Sequence, residues 1–258
     1  MTLARLDDQG DRLVVVNMNS ARRGALSPAL YAIIAEAMHK AVEPRIRAVI
    51  LTSEGGFFCA GGDLNLLIER RSLPETERRD KVDDLHDLIR MIRSCPVPVI
   101  ASVEGGAAGA GASLALACDL IVAAEGAKFT AAYVKAGLVP DGGLTSALAR
   151  MLPRPLAMEM CLLARPVPAT QMHALGVVNA LAEEGGCNAR AHEYADALAA
   201  GPREAQGVIR GLVASAYEHD EATQLDAERN AMARAAGGPE AAEGIAAFLE
   251  KRKPDFRS

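Results

Sequence analysis

The stretch Gly137-Leu-Val-Pro-Asp-Gly-Gly143 sets one carboxylate, Asp141, between a proline and two glycines. Two kinds of work suit an aspartate there. It can cap the helix that "GGLTSALARML" predicts, because Pro140 stops an incoming helix and Asp favours an N-cap. It can also point into a cleft as a base, which requires a site for the base to act on. Two glycine-rich loops are candidates for that site: "FCAGGDL" at 58–64 and "GGAAGAGAS" at 105–113. Each follows an apolar strand-like run and precedes a helical one. A dinucleotide cradle needs G-x-G-x-x-G, and after Gly109 and Gly111 the third position is Leu114. A P-loop needs Gly-Lys-Ser/Thr, and the loop has no lysine. Ser113 in "GASLA" approaches the G-x-S-x-G nucleophile elbow. Nine residues separate it from Val103, however, so it falls inside the helix and not on the turn after the strand. What remains is the backbone. Small residues at helix N-termini leave N–H groups open. One N–H from each loop, aimed at one point, makes an oxyanion hole, each donor contributing about 10²–10³ in rate. Close helix–strand packing is the structural alternative for either loop taken alone.

The elements that must position these residues read as an α/β pattern. "ARLDDQGDRLVVVNMN" predicts two short strands around an Asp-Gln-Gly-Asp turn. "SPALYAIIAEAMHKAVE" predicts a helix with Ser27 as N-cap and Pro28 at its first position. "RAVILTS" and "PVPVIASVEG" are continuous apolar runs, the mark of strands buried on both faces. In the charged segment "RRSLPETERRDKVDDLHDLIRMIRSC" the second half predicts an amphipathic helix, and its first part reads as mobile. "GAAGAGASLALACD" predicts a loop turning into a small-residue helix, and "LIVAAEGAKFTA" a third strand with a short fourth. Beyond Gly142 the pattern is mostly helical, apart from the strand-like "VVNALAEEGG". The expected division is an α/β core over residues 1–195 and a helical region over 196–258.

Composition narrows the function class. The 258 residues carry a formal net charge of −5, which offers no general attraction to nucleic acid. Aromatic residues make up 3% with no tryptophan, so stacking platforms for bases are few. No apolar run is long enough to span a bilayer, and the N-terminal "MTLARLDDQGDR" lacks the core of a signal peptide. Five cysteines without a CxxC pair fit a reducing, cytoplasmic setting, and no His/Cys cluster has metal-ligand spacing. No metal is expected.

With these motifs on the page, the chain resembles the crotonase (enoyl-CoA hydratase/isomerase) superfamily. "FCAGGDLNLL" is similar to its first acyl-CoA loop, and "VEGGAAGAGASLALACDLIVAAEGAKF" to its second loop, helix and following strand. "NSARRGALSP" and "GIAAFLEKRKPDF" match the family near the two ends, in the expected order. The resemblance implies a crotonase-like ββα spiral core with a helical C-terminal region, assembled as a homotrimer or a dimer of trimers. It implies a coenzyme A thioester as substrate, with no permanently bound cofactor, and a thioester oxygen held by the N–H groups of Gly62 and Ala110. Ala25, Leu26, Ala60 and Leu64 resemble the backbone bordering coenzyme A, with Asp63 and Gly109 in the same loops. Phe248 and Lys251 resemble C-terminal residues that reach coenzyme A, in some members across a subunit interface. Ser113 and Tyr133 stand at the site positions where the family's hydratases carry two glutamates, and neither is a carboxylate. In isomerase branches of the family, the phenylacetate-pathway type among them, an acid in the "GL-x-P-D-x-G-G" loop faces the acyl chain, which is the place of Asp141. The expected activity is therefore an enoyl-CoA isomerase that moves a double bond from the 3- to the 2-position or rearranges a ring-derived thioester. The alternatives are another coenzyme A chemistry on the scaffold (hydration, decarboxylation or thioester hydrolysis) or a non-catalytic thioester-binding protein.

Overall fold

A computed structural model describes residues 2–257. The chain opens with β1 (Ala4–Asp8) and β2 (Arg12–Asn17), an antiparallel pair whose turn is fixed by Gly10 N–H donating to Asp8. Helix α1 (Pro28–Lys40) starts as the sequence predicts, with Ser27 Oγ accepting from the Leu30 N–H at 3.2 Å. Then come β3 (Ala48–Ser53), α2 (Leu64–Arg70) and α3 (Glu75–Arg93). The charged segment is helical over more than the second half that the sequence predicts. Helix α3 fills nearly all of it, entered at Pro74, with Glu75 and Glu77 in the first turn and Arg90 and Arg93 in the last, as the helix dipole favours. Its apolar face, Leu85, Leu88, Ile89 and Ile92, is buried, and that burial fixes the helix.

The next segments alternate between two sheets. Strand β4 (Val99–Val103) joins a six-stranded sheet, β5 (Gly106–Ala108) a three-stranded one, and α4 (Ala110–Leu116) follows. The pattern repeats with β6 (Leu120–Ala124) in the large sheet, β7 (Lys128–Thr130) in the small one, and the helices α5 (Leu144–Met151) and α6 (Arg154–Leu163). This is the ββα spiral. After it come β8 (Val167–Pro168), α7 (Ala169–Ala174), β9 (Ala180–Ala182) and α8 (Cys187–Ala199). The large sheet runs β1-β2-β3-β4-β6-β9 and is parallel apart from the first pair. Every residue of β4 and all but the last of β3 are buried, as their unbroken apolar runs predict, so both faces of these strands are covered. The short strand β5 could not be read from "GAA", which has no β-branched residue; its pairing with β7 comes from the tertiary fold.

Helix α8 lies across β3, β4 and β6 and passes through residue 195. Buried Arg12 ties it to the start of β2, donating to Asp196 at 2.6 Å and to Asp11 at 2.8 Å. Three helices then pack on one another: α9 (Arg203–Ser215), α10 (Glu221–Ala236) and α11 (Pro239–Glu250). The Glu240 carboxylate of α11 accepts the first N–H groups of α9, those of Glu204 and Ala205, at 2.9 and 3.0 Å. Arg203 donates to the carbonyls of Ile46 and Ala41 between α1 and β3. The tail after α11 returns to the core, where Phe256 C=O accepts from Arg47 at 3.0 Å and Arg257 pairs with Asp11 at 3.2 Å. No helix among the described residues is long and apolar enough to cross a membrane.

Candidate active site

The two glycine loops touch. Cys59 forms an isolated parallel bridge with Ala107, and the Ala108 N–H donates to Cys59 C=O at 2.9 Å. Gly61 sits at φ +95°, and a Cβ there would lie 2.7 Å from Ala108 O and 3.1 Å from Ala110 N. A Cβ on Gly111 would collide with Cys59 C=O. These two glycines thus do the close packing that either loop alone suggested, and they bring the first residues of α2 and α4 side by side. Among the described residues, neither the Gly62 N–H nor the Ala110 N–H donates to a protein acceptor. Helix termini leave N–H groups open in this way.

A strap from the N-terminal region lies against the first loop. The Leu26 N–H donates to Gly61 C=O at 2.8 Å, and the Ala60 N–H to Arg23 C=O at 3.0 Å. Ala25 and Leu26 are therefore beside the loop, as the resemblance implies. Two buried asparagines that the sequence reading did not single out hold the strap. Asn17 Nδ2 donates to Gly24 C=O at 2.7 Å and Asn19 Nδ2 to Ala25 C=O at 2.8 Å. Their signal in the sequence is two amides at the end of an apolar strand, "VVVNMN". Asp63 is occupied locally. It caps α2 by accepting from the Asn65 N–H at 3.0 Å and pairs with Arg22. Leu64, in the first turn of α2, is exposed.

The second loop lies beside the candidate acid. Gly109 (φ +53°) caps α4, its N–H donating to Thr130 C=O at 2.9 Å, and a Cβ there would meet the Tyr133 ring at 3.9 Å. Tyr133 lies on a 3-10 turn, Ala132–Ala136, directly after β7. Its hydroxyl donates to Asp141 Oδ1 at 2.6 Å and stands 3.2 Å from Ser113 Oγ. Buried Ser113 in turn donates to Asp141 C=O at 3.0 Å. Burial first, and then the negative charge of Asp141, push the Tyr133 phenol far above the usual tyrosine range, so it stays protonated as a donor. Asp141 is not the helix cap that its flanking residues also allowed. Helix α5 begins at Leu144 on Gly143, with no side-chain cap, and the carboxylate is turned to Tyr133 instead. Gly142, at φ +59°, makes this approach possible, because a Cβ there would lie 2.8 Å from Ser113 Cβ.

Beside Gly62 and Leu26 opens a cavity of about 800 Å³, walled by α1, α2 and α3. That is ample for a small-molecule acyl group. Tyr31 on α1 lines it and is a third side chain that the sequence reading passed over. Phe248 and Lys251 lie elsewhere. Both are exposed, Phe248 at 83%, at the end of α11, which packs on α10; within one chain no hydrogen bond or ion pair among the described residues links them to the loops. No group of three His, Cys, Asp or Glu among the described residues is placed to hold a metal ion.

Comparison with known proteins agrees with this arrangement. Residues 8–258 match the family profile described as enoyl-CoA hydratase/isomerase. The 1,2-epoxyphenylacetyl-CoA isomerase of Escherichia coli K12 is 37% identical over 238 residues, covering 91% of this chain and 90% of its own. A probable enoyl-CoA hydratase of Rhodobacter capsulatus is 34% identical, over 95% of this chain and 91% of its own. The crystal structure of an enoyl-CoA hydratase from Polaromonas sp. JS666 superposes with a TM-score of 0.94 at 42% identity, covering 98% of this chain and 99% of that one. Shared motifs, fold and full-length similarity lead to one conclusion: the chain belongs to the enoyl-CoA hydratase/isomerase (crotonase) family.

Proposed function

We propose that this acyl-CoA enzyme is an enoyl-CoA isomerase with Asp141 as its single base. The observation that carries the reading is the Asp141 carboxylate held through Oδ1 by a protonated tyrosine, beside two touching loops with open N–H groups. The Gly62 and Ala110 N–H groups receive the thioester oxygen as negative charge grows on it. Asp141 takes a proton from C2 of a 3-enoyl thioester. The C–H electron pair enters the conjugated system as a dienolate, its charge resting on the held oxygen. The same carboxyl returns the proton at C4, and the double bond ends between C2 and C3. One base serves both carbons from one face, so no second carboxylate is needed.

The fillings of the two glutamate positions support this reading over hydration. Ser113 and Tyr133 spend their hydroxyls on Asp141, one on its carbonyl and one on its carboxylate. A serine or a tyrosine of raised pKa is a poor activator of water. Hydration remains the rival, because many of the similar proteins carry that name. The test is Asp141→Asn assayed on 3-enoyl-CoA and 2-enoyl-CoA thioesters. The expected outcome for wild type is turnover of the 3-enoyl substrate, and for the variant a loss in kcat/KM of about 10²–10⁴. Variant activity within a few-fold of wild type, or water addition as the main wild-type reaction, would overturn the proposal.

A further inference from the structure

Five leucines and six charged side chains share the wall of the cavity beside Gly62, and one uncharged polar group on it has no protein partner. Tyr31, in the first turns of α1, lines this space and is partly buried. Among the described residues its hydroxyl makes no hydrogen bond. Ser27, the other hydroxyl on the wall, is engaged as the cap of α1. A half-buried phenol without a partner loses water's hydrogen bonds on closure of the pocket over a plain alkyl chain. An acyl group with an acceptor of its own at that place would restore the bond.

We propose that Tyr31 is a specificity residue that donates a hydrogen bond to a neutral oxygen (hydroxyl, ether or ketone) on the distal part of the acyl group. The inference rests on the acyl-CoA reading of the site and adds a substrate class to it. Charge on the wall decides between a neutral oxygen and a second carboxylate. The charges on the wall balance: Asp63 pairs with Arg22, Asp84 with Lys81 at 3.4 Å and Asp87 with Arg90 at 2.6 Å, leaving Glu69 and Arg70, one of each sign. The charge of Asp141 acts on the same phenol. An anionic tail would give up its water for a wall with no net charge to offset that loss, whereas a neutral acceptor incurs no ion desolvation. Burial pushes the Tyr31 phenol up to about 12, with Arg70 opposing and Asp141 adding to the rise. The group therefore remains a donor across the neutral range.

The test compares wild type with Tyr31→Phe on matched pairs of 3-enoyl-CoA thioesters, with and without a distal hydroxyl or keto oxygen, and on a distal carboxylate. The quantity read is the ratio of kcat/KM for the oxygenated over the plain partner. Wild type is expected to favour the neutral oxygenated partner by about five- to tenfold, the effect of one hydrogen bond, and Tyr31→Phe to bring the ratio near one. An unchanged ratio in the variant, or a larger preference for the carboxylate, overturns the proposal. Dissociation constants for hexanoyl-CoA and 6-hydroxyhexanoyl-CoA keep it separable from the isomerase reading. These saturated thioesters need no turnover, so the preference and its loss in Tyr31→Phe are measured even if the enzyme isomerises nothing. Equal constants in wild type sink the proposal on their own.

Discussion

The Asp141 carboxylate receives the Tyr133 hydroxyl through Oδ1, and among the described residues Oδ2 has no protein donor. On the proposed isomerase reading Tyr133 is a positioning residue, holding one oxygen and leaving the other for the reacting carbons. Removing the hydroxyl in Tyr133→Phe is expected to lower kcat by about ten- to a hundredfold, the size of a hydrogen bond to a charged group, with KM little changed. A merely structural tyrosine would lower thermal stability without this split. The raised pKa gives a second measurement. A phenol raised above its unfolded value stays neutral while unfolded chains ionise, so Tyr133 contributes no phenolate absorbance between pH 9 and 11 in the folded enzyme. Wild type and Tyr133→Phe should therefore show the same ultraviolet titration amplitude over that range. A wild-type excess of one tyrosine would refute the buried donor. The sequence made Asp141 legible as a candidate because proline and glycines isolate it. It did not reveal the link to Tyr133 and Ser113, since those residues lie 8 and 28 positions away and meet it only after β7, α4 and α5 have packed.

At the scale of elements, the site depends on how closely two helix starts approach. Gly61 and Gly62 make opposite predictions although they are neighbours. A methyl on Gly61 adds strain at φ +95° and a clash with Ala108 C=O, whereas one on Gly62 meets only Leu67 Cδ1, at 3.7 Å. Gly61→Ala is expected to destabilise by about 1–3 kcal/mol and to abolish most activity by separating the loops. Gly62→Ala keeps its N–H and is expected to melt within a degree or two of wild type. Thermal melts and kcat/KM of both variants check the pair, and equal effects would count against this geometry. Element types were legible where periodicity was strong, as in β2–β4, α1 and α8. The short pieces next to the site were not. Helix α2 follows a capping aspartate inside a stretch that reads as loop, and β5 is three small residues paired across the fold. Their local sequences are neutral, and only tertiary contacts decide them.

At the scale of the whole molecule, α9–α11 present Val213, Leu225, Met232, Ile245, Phe248 and Leu249 to solvent in the single chain. Exposed apolar surface of that extent usually meets another protein surface. The expected assembly is a homotrimer or a dimer of trimers, measured by light scattering at micromolar concentration. A monomer there would count against the proposal that Phe248 and Lys251 reach a neighbour's thioester. Composition indicated nothing of this face, because alternating apolar and polar positions read the same whether the covering partner is the chain's own core or a second copy.

The tail adds a mechanical consequence. Arg203 anchors the near end of the three-helix unit to the carbonyls of Ala41 and Ile46, and Arg47 and Asp11 clasp its far end at Phe256 and Arg257. Both moorings fall on one rim of the same sheet, and Arg210 of α9 adds a third clasp, donating to Asp119 at 2.5 Å and to Ile92 C=O at 2.6 Å. Losing one clasp therefore leaves the unit held by the other two.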